Sequence, residues 1–161
     1  MPQPKHPVTI IAKDAPSRPK PTSPPFPAEM VAKVAAGRDK KVLGDPFGLT
    51  NFGVNLVKLE PGAQSALRHW HTQQDEFVWV VEGEVTLVTD AGPQILKAGM
   101  CAGFPKGKPD GHHLVNKSAK DAWYLEVGDR SAGDATTYPD DDMRAAFVAT
   151  YKFTKPDGSP I

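Results

Sequence analysis

Four of the chain's five histidines fall into two tight clusters, His69/His71 and His112/His113. In an extended strand, residues two apart project to the same side, about 6.6 Å apart along the backbone. His69 and His71 can therefore bring two imidazoles to one metal ion. Glu76, five residues after His71, returns on the next extended stretch with a carboxylate, and His112 offers a fourth ligand. Three neutral imidazoles and one carboxylate suit Fe, Ni, Cu, Zn or Mn, and ligand type alone does not choose among them. Such a set leaves one or two coordination positions for water and substrate, as a Lewis-acid site requires. Taken alone, a His-x-His pair on a strand is equally at home as interior or surface polar residues. His6 stands apart in a proline-rich stretch and is assigned no role.

Strands must carry these groups, and the sequence supplies them from Leu49 onward. Residues 50–59 place Phe52, Val54 and Leu56 on one face at period two. Phe77–Val81 and Glu84–Thr89 are β-rich runs on either side of Gly83, which reads as a tight hairpin. Asp90–Pro93 marks a turn, followed by strands over Gln94–Lys97, His113–Asn116 and Trp123–Val127. Short strands with a turn every 8–12 residues or about that spacing predict an all-β barrel or sandwich. Nine of the 17 prolines lie in residues 1–27, so the opening stretch is read as an extended arm, with Val8–Ala12 as an edge strand. A short helix over residues 28–36 follows, with Pro27 at its start and Gly37 just past its end. Pro139–Asp142 reads as the start of a helical turn, and Phe147–Lys155 as a final strand. A length of 161 residues fits one domain: an arm over 1–48, a barrel over 49–128 and an extension over 129–161 that packs on it.

Two glycine-framed motifs surround the histidines. The first reads Gly62-AQSALR-His69-Trp70-His71-TQQD-Glu76-FVWVVE-Gly83, and the second Gly99-MCAGF-Pro105-Lys106-Gly107-KPDG-His112-HLV-Asn116. Both resemble the paired motifs of the cupin superfamily, with one extra residue after the first glycine and two before the second motif's histidine. The wider pattern is similar to that of small single-domain cupins that carry the label of sugar-phosphate isomerase by analogy of fold. The resemblance implies a double-stranded β-helix, or jelly roll, with one divalent transition metal ion per chain held inside one end by His69, His71, Glu76 and His112. Neighbouring strand residues face opposite sides, and Asn116 shares the parity of His112. The His-x3-Asn spacing of the motif therefore selects His112 as the ligand, with His113 facing away.

Composition narrows the function further. With 19 basic and 19 acidic residues the net charge is zero, which argues against an electrostatic grip on nucleic acid. No apolar run approaches the ~20 residues of a membrane-spanning helix. A single cysteine, Cys101, forms no internal disulfide and reads as a small buried hydrophobe. The first residues lack the form of a secretory signal, so a cytoplasmic location is expected. A small polar, sugar-like or carbonyl-bearing substrate is expected, with isomerase chemistry ahead of an iron or copper dioxygenase and of a non-catalytic binder or sensor. An aldose–ketose isomerase needs a base, a carbonyl-polarising group and a cationic grip on phosphate. Glu76 ligates, so Tyr124 or Glu126 is the expected base, while Arg68, Lys106 and Lys108 flank the presumed mouth and would hold an anion. The aromatics Trp70, Phe77 and Trp79 are expected to face outward and cover the barrel against a second copy, giving a homodimer.

Overall fold

The computed structural model describes residues 6–23, 25–147 and 151–161. Its elements are α1 (Ala28–Ala35), β1 (Arg38–Val42), β2 (Phe52–Leu59), β3 (Trp70–His71), β4 (Glu76–Glu82), β5 (Glu84–Thr89) and β6 (Gly92–Lys97). They continue with β7 (Cys101–Phe104), β8 (His113–Val115), β9 (Ala122–Asp129), β10 (Ala135–Tyr138), β11 (Met143–Phe147) and β12 (Tyr151–Thr154). One sheet runs β1-β2-β9-β4-β7, and opposite it lie β12-β11-β10-β3 and β6-β5-β8. Those two pieces are stitched together by bridges from Gln64 to Val115 and from His69 to His112. The result is an antiparallel double-stranded β-helix. Among the described residues, no helix is long and apolar enough to cross a membrane.

Alternation along the strands fills the space between the sheets. β2 sends Val57 and Leu59 inward, β4 sends Val78 and Val80, and β5 and β8 add Val85, Leu87 and Leu114. On β2 the face of Asn55, Val57 and Leu59 lies between the sheets; on the other face, that of Phe52, Val54 and Leu56, Leu56 is buried and Phe52 exposed. A second cluster joins Val34 of α1 to Leu67, Tyr138, Met143 and Ala145, so the helix caps the outer side of β10 and β11. Pro27 stands at the N-cap of α1, where a missing N–H costs nothing.

Several local readings change in three dimensions. Residues 8–11 form no strand, and Ala12–Asp14 is a 3₁₀ turn. Pairing begins later, where Val42 N–H donates to Pro16 O and Arg18 N–H to Lys40 O. Residues 1–5 and Pro24 of the proline-rich arm lie outside the described residues. Arg38–Val42, placed by sequence in the arm, is a full strand in register with β2. Its run of charges carries no apolar alternation to reveal it. Gly83 closes no hairpin: β4 pairs with β9 and β7, whereas β5 pairs with β6 and β8. It is the corner where the chain crosses between sheets, with φ +76° and so little room that a Cβ would stand 2.9 Å from Asp121 O. Pro139–Asp142 is the turn of the β10–β11 hairpin, not a helical start, with Asp142 in the left-handed region at φ 46°. Phe147–Lys155 splits between the antiparallel strands β11 and β12; residues 148–150 lie outside the described residues. Cys101 is exposed because it sits on edge strand β7 opposite Trp79, on the outer face of the sheet.

Asn116, fully buried, locks the end of β8. Its Nδ2 donates to Leu59 O at 2.8 Å and Lys120 O at 2.7 Å, and its Oδ1 accepts from Ser118 N–H at 3.0 Å and Oγ at 2.8 Å. Asn116→Ala takes its side-chain donor from the buried Leu59 carbonyl, and we expect a loss of about 1–3 kcal/mol in urea unfolding.

Candidate metal centre

His69, His71, Glu76 and His112 meet at one end of the space between the sheets. His69 and His112 face each other across a bridge closed by two backbone hydrogen bonds, His69 N–H to His112 O at 3.1 Å and His112 N–H to His69 O at 2.9 Å. His71 lies on β3, and Glu76 is the first residue of β4, in line with the inward Val78 and Val80. One ligand atom from each of His69, His71 and Glu76 lies within 4.8 Å of the others. Glu76 Oε2 stands 3.7 Å from His69 Nε2, 3.6 Å from His71 Nε2 and 2.9 Å from His112 Nε2. His112 is buried, whereas His113 turns its ring away to Ala66 O at 3.1 Å.

The outer nitrogens of the rings settle which tautomer each carries. His69 Nδ1–H donates to Leu67 O at 2.7 Å, and His71 Nδ1–H donates to Asp134 Oδ2 at 2.6 Å. Both Nε2 lone pairs are thereby turned toward the Glu76 carboxylate, at distances too long for a hydrogen bond. No proton lies between these two rings and Glu76, which is what a cation satisfies. His112 Nε2, here donating to Glu76 Oε2 at 2.9 Å, would give up its proton to join them, and the donor set then fits a divalent transition metal. His112 is oriented differently: Phe104 stacks on its ring with centroids 3.6 Å apart and planes 2° apart, and its buried Nδ1 has no partner among the described residues. Burial lowers the His69 pKa to about 4, keeping the ring neutral and ready to ligate. For Glu76, burial pushes upward, but the His112 hydrogen bond and the adjoining imidazoles prevail and hold the carboxyl at about 2.

A cavity of about 180 Å³ opens beside the cluster. His71, Glu76 and His112 form part of its wall, together with Trp70, Gln74, Leu87, Phe104, Lys108 and Asp110. The three expected substrate groups are elsewhere. Arg68 is claimed by Asp140, through bonds of 2.8 and 2.6 Å, by Asp90, and by Gly111 O at 3.2 Å. Tyr124 is buried in the core between the sheets. Glu126 is engaged by Lys40 at 2.5 Å and by Asn55 at 2.9 Å. Of the aromatics expected on the outer face, Phe77 and Trp79 are exposed there, whereas Trp70 is half-buried at the cavity. Asp134 escaped the sequence reading. It accepts from His71, from Gln73 N–H at 2.8 Å and from Thr72 Oγ1 at 3.3 Å.

A cupin domain matches residues 55–128. No curated protein matches the chain. Among solved structures, a sugar phosphate isomerase from a cupin superfamily of Silicibacter pomeroyi DSS-3 is 42% identical, with a TM-score of 0.88 over 95% of this chain and 96% of that one. An inferred sugar phosphate isomerase from Acidithiobacillus ferrooxidans is 27% identical, with a TM-score of 0.71 over 77% of this chain and 80% of that one. The polyketide cyclase RemF from Streptomyces resistomycificus, 17% identical with a TM-score of 0.59 over 76% and 79% of the two chains, shares the fold alone. With the Silicibacter relative 42% identical along nearly the whole chain, and with both glycine-framed motifs delivering their histidines to one end of the barrel, this chain belongs to the cupin superfamily.

Proposed function

We propose that the protein is a metal-dependent enzyme that isomerises a small sugar-like carbonyl compound. The observation that carries the reading is the convergence of the His69 and His71 Nε2 lone pairs on Glu76, with His112 alongside, at the wall of a cavity. His69, His71, Glu76 and His112 would hold the ion. When bound, it supplies Lewis-acid polarisation of a carbonyl. The isomerase assignment draws on the Silicibacter relative, described as a sugar phosphate isomerase. Neither Tyr124 nor Glu126 reaches the cavity, so proton transfer falls to groups on its wall, where Asp110 is the carboxylate outside the histidine cluster. We further propose a homodimer formed through the outer face of β4, where Phe77, Trp79 and Val81 are exposed side by side with Cys101 of β7.

Metal analysis of protein purified without chelator tests the first step, with at least about half an equivalent of zinc, nickel or manganese expected per chain. Turnover of a panel of aldoses, ketoses and their phosphate esters, abolished by chelator and restored by the metal, completes the test. Bound iron or copper with oxygen uptake would replace the isomerase reading by a dioxygenase, and ligand binding without turnover would make the protein a sensor. Asp134→Asn should weaken metal binding by about 10–100-fold, because His71 loses the carboxylate that fixes its tautomer. Equilibrium dialysis reads that change directly.

A further inference from the structure

Charge around the cavity says what the substrate carries. We infer that the cavity takes an uncharged sugar or polyol rather than its phosphate ester, an inference that rests on the function proposed above. Phosphate is recognised by forked guanidinium groups or by several cations and free backbone N–H groups together. Among the described residues, Lys108 is the one lysine or arginine on this wall, and its Nζ faces Asp110 Oδ2 at 3.8 Å. Arg68, the arginine nearest the histidines in sequence, has its guanidinium committed to two carboxylates and a carbonyl. Three N–H groups of the adjoining loop are occupied as well: Lys106 N–H donates to Asp75 at 2.8 Å, Gly107 N–H to His71 O at 2.8 Å and Asp110 N–H to Lys108 O at 2.8 Å. Away from the ion that would take Glu76, an ester dianion would meet one lysine and one carboxylate, Asp110.

Hydroxyl groups find a better match. Asp110 Oδ1 takes the Asp90 N–H at 2.9 Å, while Oδ2, whose 3.8 Å to Lys108 Nζ is too long for a hydrogen bond, still has an acceptor site for a hydroxyl. Gln74 spends its Nε2 on Ser131 O at 3.3 Å, which leaves its carbonyl oxygen for a ligand, and Thr89 adds a hydroxyl that both donates and accepts. Trp70 and Phe104 supply apolar wall for the carbon face of a ring. A volume of about 180 Å³ suits a molecule of monosaccharide size, below the roughly 300–1,000 Å³ of pockets for drug-sized ligands.

Calorimetric titration of the metal-loaded protein tests this, using D-fructose and D-mannose, their terminal phosphate esters, and inorganic phosphate as separate probes. We expect a free sugar to bind at least about tenfold more tightly than its ester, with Asp110→Asn weakening the sugar several-fold. Tighter binding of an ester, reduced by Lys108→Ala, would overturn the inference, assign Lys108 as the phosphate grip and leave the proposed isomerase standing. Failure of sugars and esters alike to bind protein shown to carry its metal would overturn both. Equal affinity for sugar and ester overturns the inference alone.

Discussion

His112→Ala is expected to strip most of the metal from the protein, and His113→Ala to keep it. The two residues are adjacent in extended chain, His112 immediately before β8 and His113 its first residue, and they face opposite sides. His112 Nε2 stands 2.9 Å from Glu76 Oε2 with its ring stacked on Phe104, while His113 is bonded outward to Ala66 O. Removing an outer-shell partner of a metal ligand already weakens binding by about 10–100-fold, so loss of a ligand should exceed that range. Metal per chain after exhaustive dialysis is the measurement. His113→Ala should retain the wild-type content, with a stability loss near the roughly 1 kcal/mol typical of point substitutions. Metal retained by His112→Ala and lost by His113→Ala would place the ligand at His113.

The second large effect is on acid stability of the chelator-treated protein. His69 has a pKa of about 4 in the folded chain, against 6.5 for a free side chain, because burial disfavours its charged form. Between those values the unfolded chain binds the proton and the folded chain does not, so stability is whole above pH 6.5 and falls as the pH drops toward 4. That shift corresponds to a loss of about 3 kcal/mol. Glu76, held at about 2 against 4.5, acts in the same direction below pH 4.5. Urea unfolding at neutral pH and at pH 4.5 or thereabouts should show the loss, and His69→Gln should remove most of the part above pH 4.5. A midpoint unchanged across this range in the chelator-treated protein would contradict the burial assigned to His69.

Legibility from sequence followed distance along the chain. His69, His71 and Glu76 sit within eight residues, and strand parity together with the glycine frames suffices to put them on one side. His112 was legible for the same reason, its four-residue spacing to Asn116 fixing the side it faces. Asp134 was not, because it reaches His71 from 63 residues away, through the pairing of β10 with β3. Arg68 misled for a related reason: beside a ligand histidine its charge looked available, and the carboxylates that neutralise it come from two distant loops. Tyr124 does face inward, as its strand period requires, but periodicity gives no depth, and it lies in the core rather than at the cavity. Gly83 marks the same limit at the level of topology. A strand-turn-strand pattern does not tell whether the two strands pair or part company at a corner.

Arg68 also ties together three loops that would otherwise seem free to vary. Its guanidinium holds Asp90 at the tip of the β5–β6 hairpin, Asp140 in the β10–β11 turn and the carbonyl of Gly111, the residue before His112. A loop transplanted from a relative into any one of these places would arrive without its counterparts and unsettle the other two. Chimeras of this barrel should therefore exchange all three loops together with Arg68, and natural variation at Asp90 and Asp140 should occur in concert.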